Sequence, residues 1–510
     1  MTSCLLSWII FTPVLMAVIL FLLPKAWEAH FRSWALVASL VNLLLALKLW
    51  YSFDGQLAEF QFVELTAWLP SFGIFYALGI DGISLPLVML TAVISPIGIL
   101  GTWPKAGNPL KKERFFVAMV LLLQSGMYGT FLATDLFLFY FFWEIVLIPM
   151  FFMIGIWGGK ERVYATVKFF LYTMVGSLLM LVAIFYLVRT QQQITGIPSA
   201  LMSNFNAINL PLDQSSCWAA LSSPQMLLFL AFALAFVIKV PIVPFHTWLP
   251  DAHVQAPTLG SVFLAAVLLK MGTYGLMRIA IPFFPESAAL MKPFFYGVGG
   301  VGIIYGALCA LGQTDFKRLV AYSSVSHMGY IIVGLFSFEK VALSGSLYQM
   351  INHGISAGGL FLIVGFLYER MHTRNLADFG GLAKVVPMMA VAFMIITLSS
   401  VALPGTNGFV GEFAILLGSF QVAPTVAAVC GLGVILGAVY ALKAYQMVML
   451  GPVSQHEGVH HLTDISSKEI TAMVGLAILV FGIGFFPEFF FAKSKATLDL
   501  YANGLVPFLK

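Results

Sequence analysis

Apolar residues run in blocks of about twenty along the whole chain, separated by short polar stretches. A membrane span needs about 20 mostly apolar residues. The pattern predicts fourteen such helices, near 4–23, 33–50, 82–103, 114–132, 135–156, 166–188, 224–245, 257–278, 294–313, 317–337, 342–367, 386–420, 424–449 and 469–489. The twelfth window is too long for one straight helix and carries Pro404-Gly405 and Asn407-Gly408 in its middle, so a break is expected there. The seventh carries Pro241 two residues after Lys239. A proline there frees the Val237 carbonyl and should kink the helix. Glu59–Phe75 is rich in aromatic and β-branched residues with some period-two alternation, which predicts a strand or hairpin outside the membrane. The N-terminal apolar run has no basic residue ahead of it, so it reads as a retained first span and not as a cleaved signal.

The expected fold is an all-α polytopic membrane protein. Residues 1–113 hold three helices and the external hairpin, 114–280 a five-helix unit, 281–450 a second, and 451–510 a loop, a last helix and a tail. Five is odd, so the two units enter the membrane from opposite sides, as inverted repeats. Each has its broken helix in fourth place. Paired breaks at matching positions point to a transport site near the midplane.

Composition agrees. Of 510 residues, 60% are hydrophobic and 9% are Asp, Glu, Lys or Arg, and the mean hydropathy is +0.96. Average globular chains carry roughly 25% charged residues, so a soluble surface, disorder and a disulfide-built fold are excluded. The net charge of +4 gives no reason to expect nucleic acid. Cys4, Cys217, Cys309 and Cys430 show no pairing or ligand spacing, so no haem, iron–sulfur or zinc site is expected. The odd-numbered connections hold fifteen Lys and Arg, against eight on the even side and C-terminal tail. By the positive-inside rule the odd connections face the cytoplasm and both termini face the other side.

Lys239, Lys270 and Lys443 are left inside spans, as are Glu144 and Glu412, with Asp135 at a mouth and His327 and His353 in apolar helices. A Lys or Asp at the centre of a span costs roughly 2.5–3.5 kcal/mol on insertion scales and normally faces a partner or a wet cavity. A structural ion pair accounts for Glu144 with Lys239, but leaves Lys270 without a partner. Several mid-membrane ionisable groups together read as a relay. The two histidines read equally as relay members or as satisfied packing residues. Lys443, near a span end, reads as snorkelling. His456, His460 and His461 with Glu457 and Asp464 have superficial metal-ligand spacing, but their glycine-containing loop reads as a solvated connection.

At these residues the chain resembles a known family. FFWEIVLIPMFFMIGIWG, KVPIVPFHTWLPDAHVQAPTLGSVFLAAVLLKMGTYGLMR, QTDFKRLVAYSSVSHMGYI and LPGTNGFVGEF are similar to the antiporter-like membrane subunits of respiratory complex I, the proton-pumping NADH:quinone oxidoreductase. Related chains occur in Mrp-type Na+/H+ antiporters and membrane-bound hydrogenases. Within the family the length, without a long C-terminal lateral helix, and Glu412, where the L and N sister subunits usually present a lysine, resemble the M type. The resemblance implies a proton relay of Glu144, Lys239, Lys270, His327, His353 and Glu412, with Glu144 paired to Lys239 and Lys270 linking two half-channels. His246 would line the entry route. It also implies that FMN, iron–sulfur clusters and quinone sit on partner subunits, that the sister subunits L and N and lipid are neighbours, and that protons are carried, with water as a partner on their path. The implied location is the bacterial inner membrane.

Overall fold

The computed structural model describes residues 4–103, 110–205 and 210–508, apart from the side chains of Lys25, Cys217, His460, His461 and Phe508. Helices α1 (Leu5–Leu22) and α2 (Phe31–Ser52) precede an antiparallel hairpin, β1 (Gln61–Leu69) and β2 (Ile74–Ile80). The hairpin runs five residues further than the sequence predicts, because the apolar end of β2 reads like the start of a span. Gly73 turns it at φ +67°, where a Cβ would strike the Pro198 carbonyl.

Then follow α3 (Ser84–Gly101), α4 (Glu113–Leu132), α5 (Leu136–Trp157, interrupted at Val146), α6 (Arg162–Thr195), the pair α7 (Pro224–Lys239) and α8 (Trp248–Gln255), and α9 (Thr258–Phe283). The second set is α10 (Lys292–Leu311), α11 (Phe316–Ser337), α12 (Lys340–Met371), the pair α13 (Pro387–Ser400) and α14 (Asn407–Val422), and α15 (Pro424–Met449). Helices α16 (Ser467–Phe485) and α17 (Lys495–Leu505) close the chain. Among the described residues, 12 helices are long and apolar enough to cross a membrane. With the two broken pairs they match the fourteen predicted spans.

Neighbour relations recur in the two sets. Helix α4 packs on α5, α5 on α6, α6 on the broken α7–α8, α7 on α9, and α9 returns to α4. Helices α10 to α15 pack in the same cyclic order, with α13–α14 as the broken member. The breaks are also built alike. Pro241 does free the Val237 carbonyl, but the Ile242 N–H takes it at 3.1 Å, and in the second break the Leu403 N–H reaches Leu398 O at 3.1 Å. Each break is thus closed by a bond to the fifth residue back. The groups that a broken helix would leave bare in hydrocarbon are satisfied within the protein.

The first described turn and the 493–497 segment lie on the face that carries the hairpin. Glu64 in β1 accepts from the Leu6 N–H at 2.9 Å, Lys493 donates to Phe53 O at 2.7 Å, and Gly82 N–H donates to Thr497 Oγ1 at 3.0 Å. Arginine–carboxylate pairs brace the helices: Arg32–Glu113 at 2.7 Å, Arg278–Asp81 at 2.6 Å and Arg370–Glu469 at 2.7 Å. Arg278 was expected in a connection; it lies within α9, which extends five residues past the predicted window to Phe283. On the opposite face Asp251 of α8 joins Lys168 of α6 to Arg318 of α11, each at 2.8 Å, and so ties the two helix sets together.

Helices α10 and α11 meet backbone to backbone through glycines. A Cβ at Gly306 would stand 2.7 Å from Ser326 N, and one at Gly329 2.7 Å from Gly299 O. Such small-residue seams let helices approach where lipid offers no hydrophobic drive. Gly306→Ala and Gly329→Ala should each destabilise by about 1–3 kcal/mol through overpacking. Thermal denaturation of the detergent-solubilised protein should show a lower melting temperature for both. Gly431→Ala, whose Cβ meets nothing within 4 Å, should leave it unchanged or raised.

Candidate functional site

Helix α5 is interrupted beside Glu144 because Pro149 supplies no N–H to the Ile145 carbonyl. Lys239 ends α7, immediately before the break, and is buried. Its Nζ donates to Trp143 O at 3.3 Å and stands 3.7 Å from the centre of the Trp143 ring. The expected Glu144–Lys239 ion pair is not closed: no nitrogen–oxygen contact between them falls within 4.0 Å. The ammonium spends its reach on a carbonyl and an indole face, both attractive to a cation. Glu144 is within electrostatic reach of Lys239 and beside Ser177 of α6, and its Oε1 has no hydrogen-bond partner among the described residues.

Helix α9 carries Lys270 between two π-helical segments, Leu264–Leu268 and Leu276–Ala280. Such widened turns misalign carbonyls and gather at functional sites. Lys270 Nζ donates to Ala265 O at 2.5 Å and lies 2.6 Å from His353 Nδ1. Gly354 permits this meeting, since a Cβ there would stand 2.9 Å from Ala266 O. Lys239 and Lys270 sit on helices in backbone contact, for a Cβ at Gly272 would lie 3.0 Å from Val240 N.

From His353 the line continues. The His327 ring centre is 5.4 Å away, and His327 Nδ1 is 2.7 Å from Glu412 Oε1. Glu412 also accepts from Gln349 Nε2 at 2.9 Å, while Tyr440 Oη lies 3.3 Å from His327 Nε2. The second break holds Glu412 in place. Asn407 accepts from Ser399 Oγ at 2.6 Å and donates to Asn352 O at 3.2 Å, and Ser356 and Ser399 hydroxyls are 2.7 Å apart. Four predicted relay residues, Lys270, His353, His327 and Glu412, therefore form one connected line, with Lys239 and Glu144 on helices packed against it.

Some buried polar residues beside this line escaped the sequence reading. Lys317 was expected among the loop cations; it is 6% exposed and donates to Ala256 O at 2.5 Å. That carbonyl is available because α8 stops at Gln255, and Pro257 follows. His253 of α8 is fully buried, stacked on Phe361 at 4.3 Å, with neither ring nitrogen bonded among the described residues. It lies in the electrostatic reach of Lys317, Lys270 and His353. The HTWLPDAH block was the available signal for His253; Tyr440 and Gln349 had none.

Other predicted residues have plainer roles. Asp135 caps α5, accepting from Phe137 N and Leu138 N, and its other oxygen takes the Phe75 N–H of β2 at 3.1 Å. His246 sits in the first break, against Tyr305 and Tyr322. Pro404 and Gly405 form the second break, Gly405 at φ +90°. Lys443 is exposed. His456 caps its own turn through Gly458 N; the side chains of His460 and His461 lie outside the described residues. Among the described residues no group of three or more His, Cys, Asp or Glu is placed to hold a metal.

Residues 133–437 match the family model described as NADH:quinone oxidoreductase/Mrp antiporter, TM, and residues 5–130 match NADH-ubiquinone oxidoreductase chain 4, amino terminus. NADH-quinone oxidoreductase subunit M of Rhodobacter capsulatus is 44% identical over 488 residues, 95% of this chain and 93% of that one. The chain belongs to the NADH-quinone oxidoreductase subunit M family. The plant relative, NADH-ubiquinone oxidoreductase chain 4 of Arabidopsis thaliana, is 41% identical over 486 residues, 95% of this chain and 94% of that one. A chain of respiratory complex I from Thermus thermophilus superposes with a TM-score of 0.87 at 32% identity, covering 98% of this chain and 99% of that one. The shared fold agrees with the polytopic helical order read from the sequence.

Glu412→Ala would strand the His327 and Gln349 donors, each at about 1–3 kcal/mol for a buried unpaired group. Glu412→Gln retains an acceptor oxygen. The melting temperature of the solubilised protein should therefore fall further for the alanine variant than for the glutamine one.

Proposed function

We propose that this chain is a proton-translocating membrane subunit of NADH:quinone oxidoreductase, working with other membrane subunits of complex I, the sister subunits L and N among them. The observation that carries the reading is the contact line Lys270–His353–His327–Glu412, buried across two helix sets, with Lys239 and Glu144 feeding it. Burial and the Glu144 charge act on Lys239 in opposite senses, so a shift of the carboxylate relative to the ammonium switches the lysine between holding and releasing a proton. The open Glu144–Lys239 arrangement suits such a switch better than a closed structural pair does. A released proton passes toward Lys270, then by way of the two histidines to Glu412.

The drive comes from outside this chain. In this reading FMN, the iron–sulfur clusters and quinone belong to partner subunits, and the signal arrives as an electrostatic or conformational bias on Glu144. The chain lies in the bacterial cytoplasmic membrane with hairpin and termini on the periplasmic face, following the loop charge bias.

Lys239→Ala, Glu144→Ala and Lys270→Ala, each in the assembled complex, should lower proton pumping and coupled quinone reduction. The checks are ΔpH formation in sealed vesicles and NADH oxidation in the same preparation. Near-normal pumping in all three would leave the buried charges a purely structural role. A sodium-dependent ΔpH without NADH oxidation would instead mark a cation/proton antiporter.

A further inference from the structure

One cavity reaches the line of ionisable groups from the face opposite the hairpin, away from the first break. It has a volume of about 320 Å³. Its outer wall is two connections, with Gln313 and Thr314 between α10 and α11 and Asn375 between α12 and α13. Its inner wall is one face of α15, where Tyr440, Lys443 and Ala444 follow at helical spacing and Met447 stands at the rim. Tyr440 and Met447 are seven residues apart, so the cavity descends about 10 Å, at about 1.5 Å per residue. Lys443, which is exposed, and the connection amides give the cavity polar groups that water can solvate.

The floor of this cavity is Tyr440, and Tyr440 Oη lies 3.3 Å from His327 Nε2. On its other side His327 is 2.7 Å from Glu412. We infer that Tyr440 is a proton-transfer hydroxyl joining this cavity to His327, and that the cavity is a second entrance to the relay on the face opposite the hairpin. The inference rests on the proton-relay reading above. In the step, the Tyr440 O–H breaks as an N–H forms at Nε2, and an excess proton on a cavity water replaces the hydroxyl proton, leaving that water neutral. His327 then gives up its Nδ1 proton to the Glu412 carboxylate and is left neutral. Glu412 is thus supplied from its own side as well as from Lys270.

The test uses the assembled complex in sealed vesicles with the connection face outward. Ala444→Cys is placed in a chain whose four native cysteines are serine, and is treated with a membrane-impermeant, charged methanethiosulfonate. Expected is labelling of the cysteine and a loss of proton transport per NADH oxidised that grows with the fraction labelled. A thiol reductant should reverse that loss, while NADH oxidation with uncoupler is retained. Tyr440→Phe, which keeps the ring, should show the same loss without label. If the cysteine is not reached, or if full labelling and Tyr440→Phe both leave transport per NADH unchanged, the second entrance is overturned. Lys239→Ala, run in parallel, separates the two claims. If it alone lowers transport, the relay stands without this entrance; if it, Glu144→Ala and Lys270→Ala all have no effect, the relay reading fails.

Discussion

Hydrocarbon offers no hydrogen bonds, so every polar group that this chain carries across it must find a partner in the protein. The helix interruptions follow from that demand and also serve it. Where a helix kinks, stops or widens, main-chain carbonyls lose their own N–H partners and become acceptors. Lys239 takes the Trp143 carbonyl beside the α5 interruption, Lys270 the Ala265 carbonyl in a π segment, and Lys317 the Ala256 carbonyl where α8 ends.

That choice of partner divides these lysines and three buried or half-buried arginines into two classes. Arg32, Arg278 and Arg370 each meet a carboxylate. Arginine does not lose its proton in proteins, so these pairs fix helices in place without entering proton traffic. The lysines meet neutral carbonyls. A carbonyl accepts from an amine as well as from an ammonium, so the contact survives a change of protonation. A lysine locked to a carboxylate would hold its proton; a lysine on a carbonyl can give it away.

The spans, both breaks and most residues of the buried line were legible in the sequence because each depends on a single-residue property: apolarity over twenty positions, a proline, or a charge where charge is rare. What was not legible depends on pairs. Arg278 and Lys317 passed for connection residues because each falls on the edge of its predicted span; their place inside the protein comes from Asp81 and from the end of α8. The π segments around Lys270 leave no local signal, since α9 reads as an ordinary apolar helix through Leu264–Leu268. The open Glu144–Lys239 arrangement departs from expectation for a similar reason. A count of charges pairs opposite signs, whereas the fold gave the ammonium a closer carbonyl and ring.

The two ends of the line now look like chemical complements. Lys239 is a cation held by neutral acceptors, and Glu412 is an acceptor held by His327 and the neutral amide of Gln349. Neither end is locked to a permanent counter-charge. A proton leaving one and reaching the other therefore changes the charge at both, in a region where water screens poorly and unit charges interact several-fold more strongly than in bulk solvent. Such a site responds to the field of its surroundings, and Glu144, facing Lys239 without closing on it, is the group placed to transmit that field. A site of this kind is open to being driven by charge displaced next to it, provided that its lysines stay free of tight ion pairs.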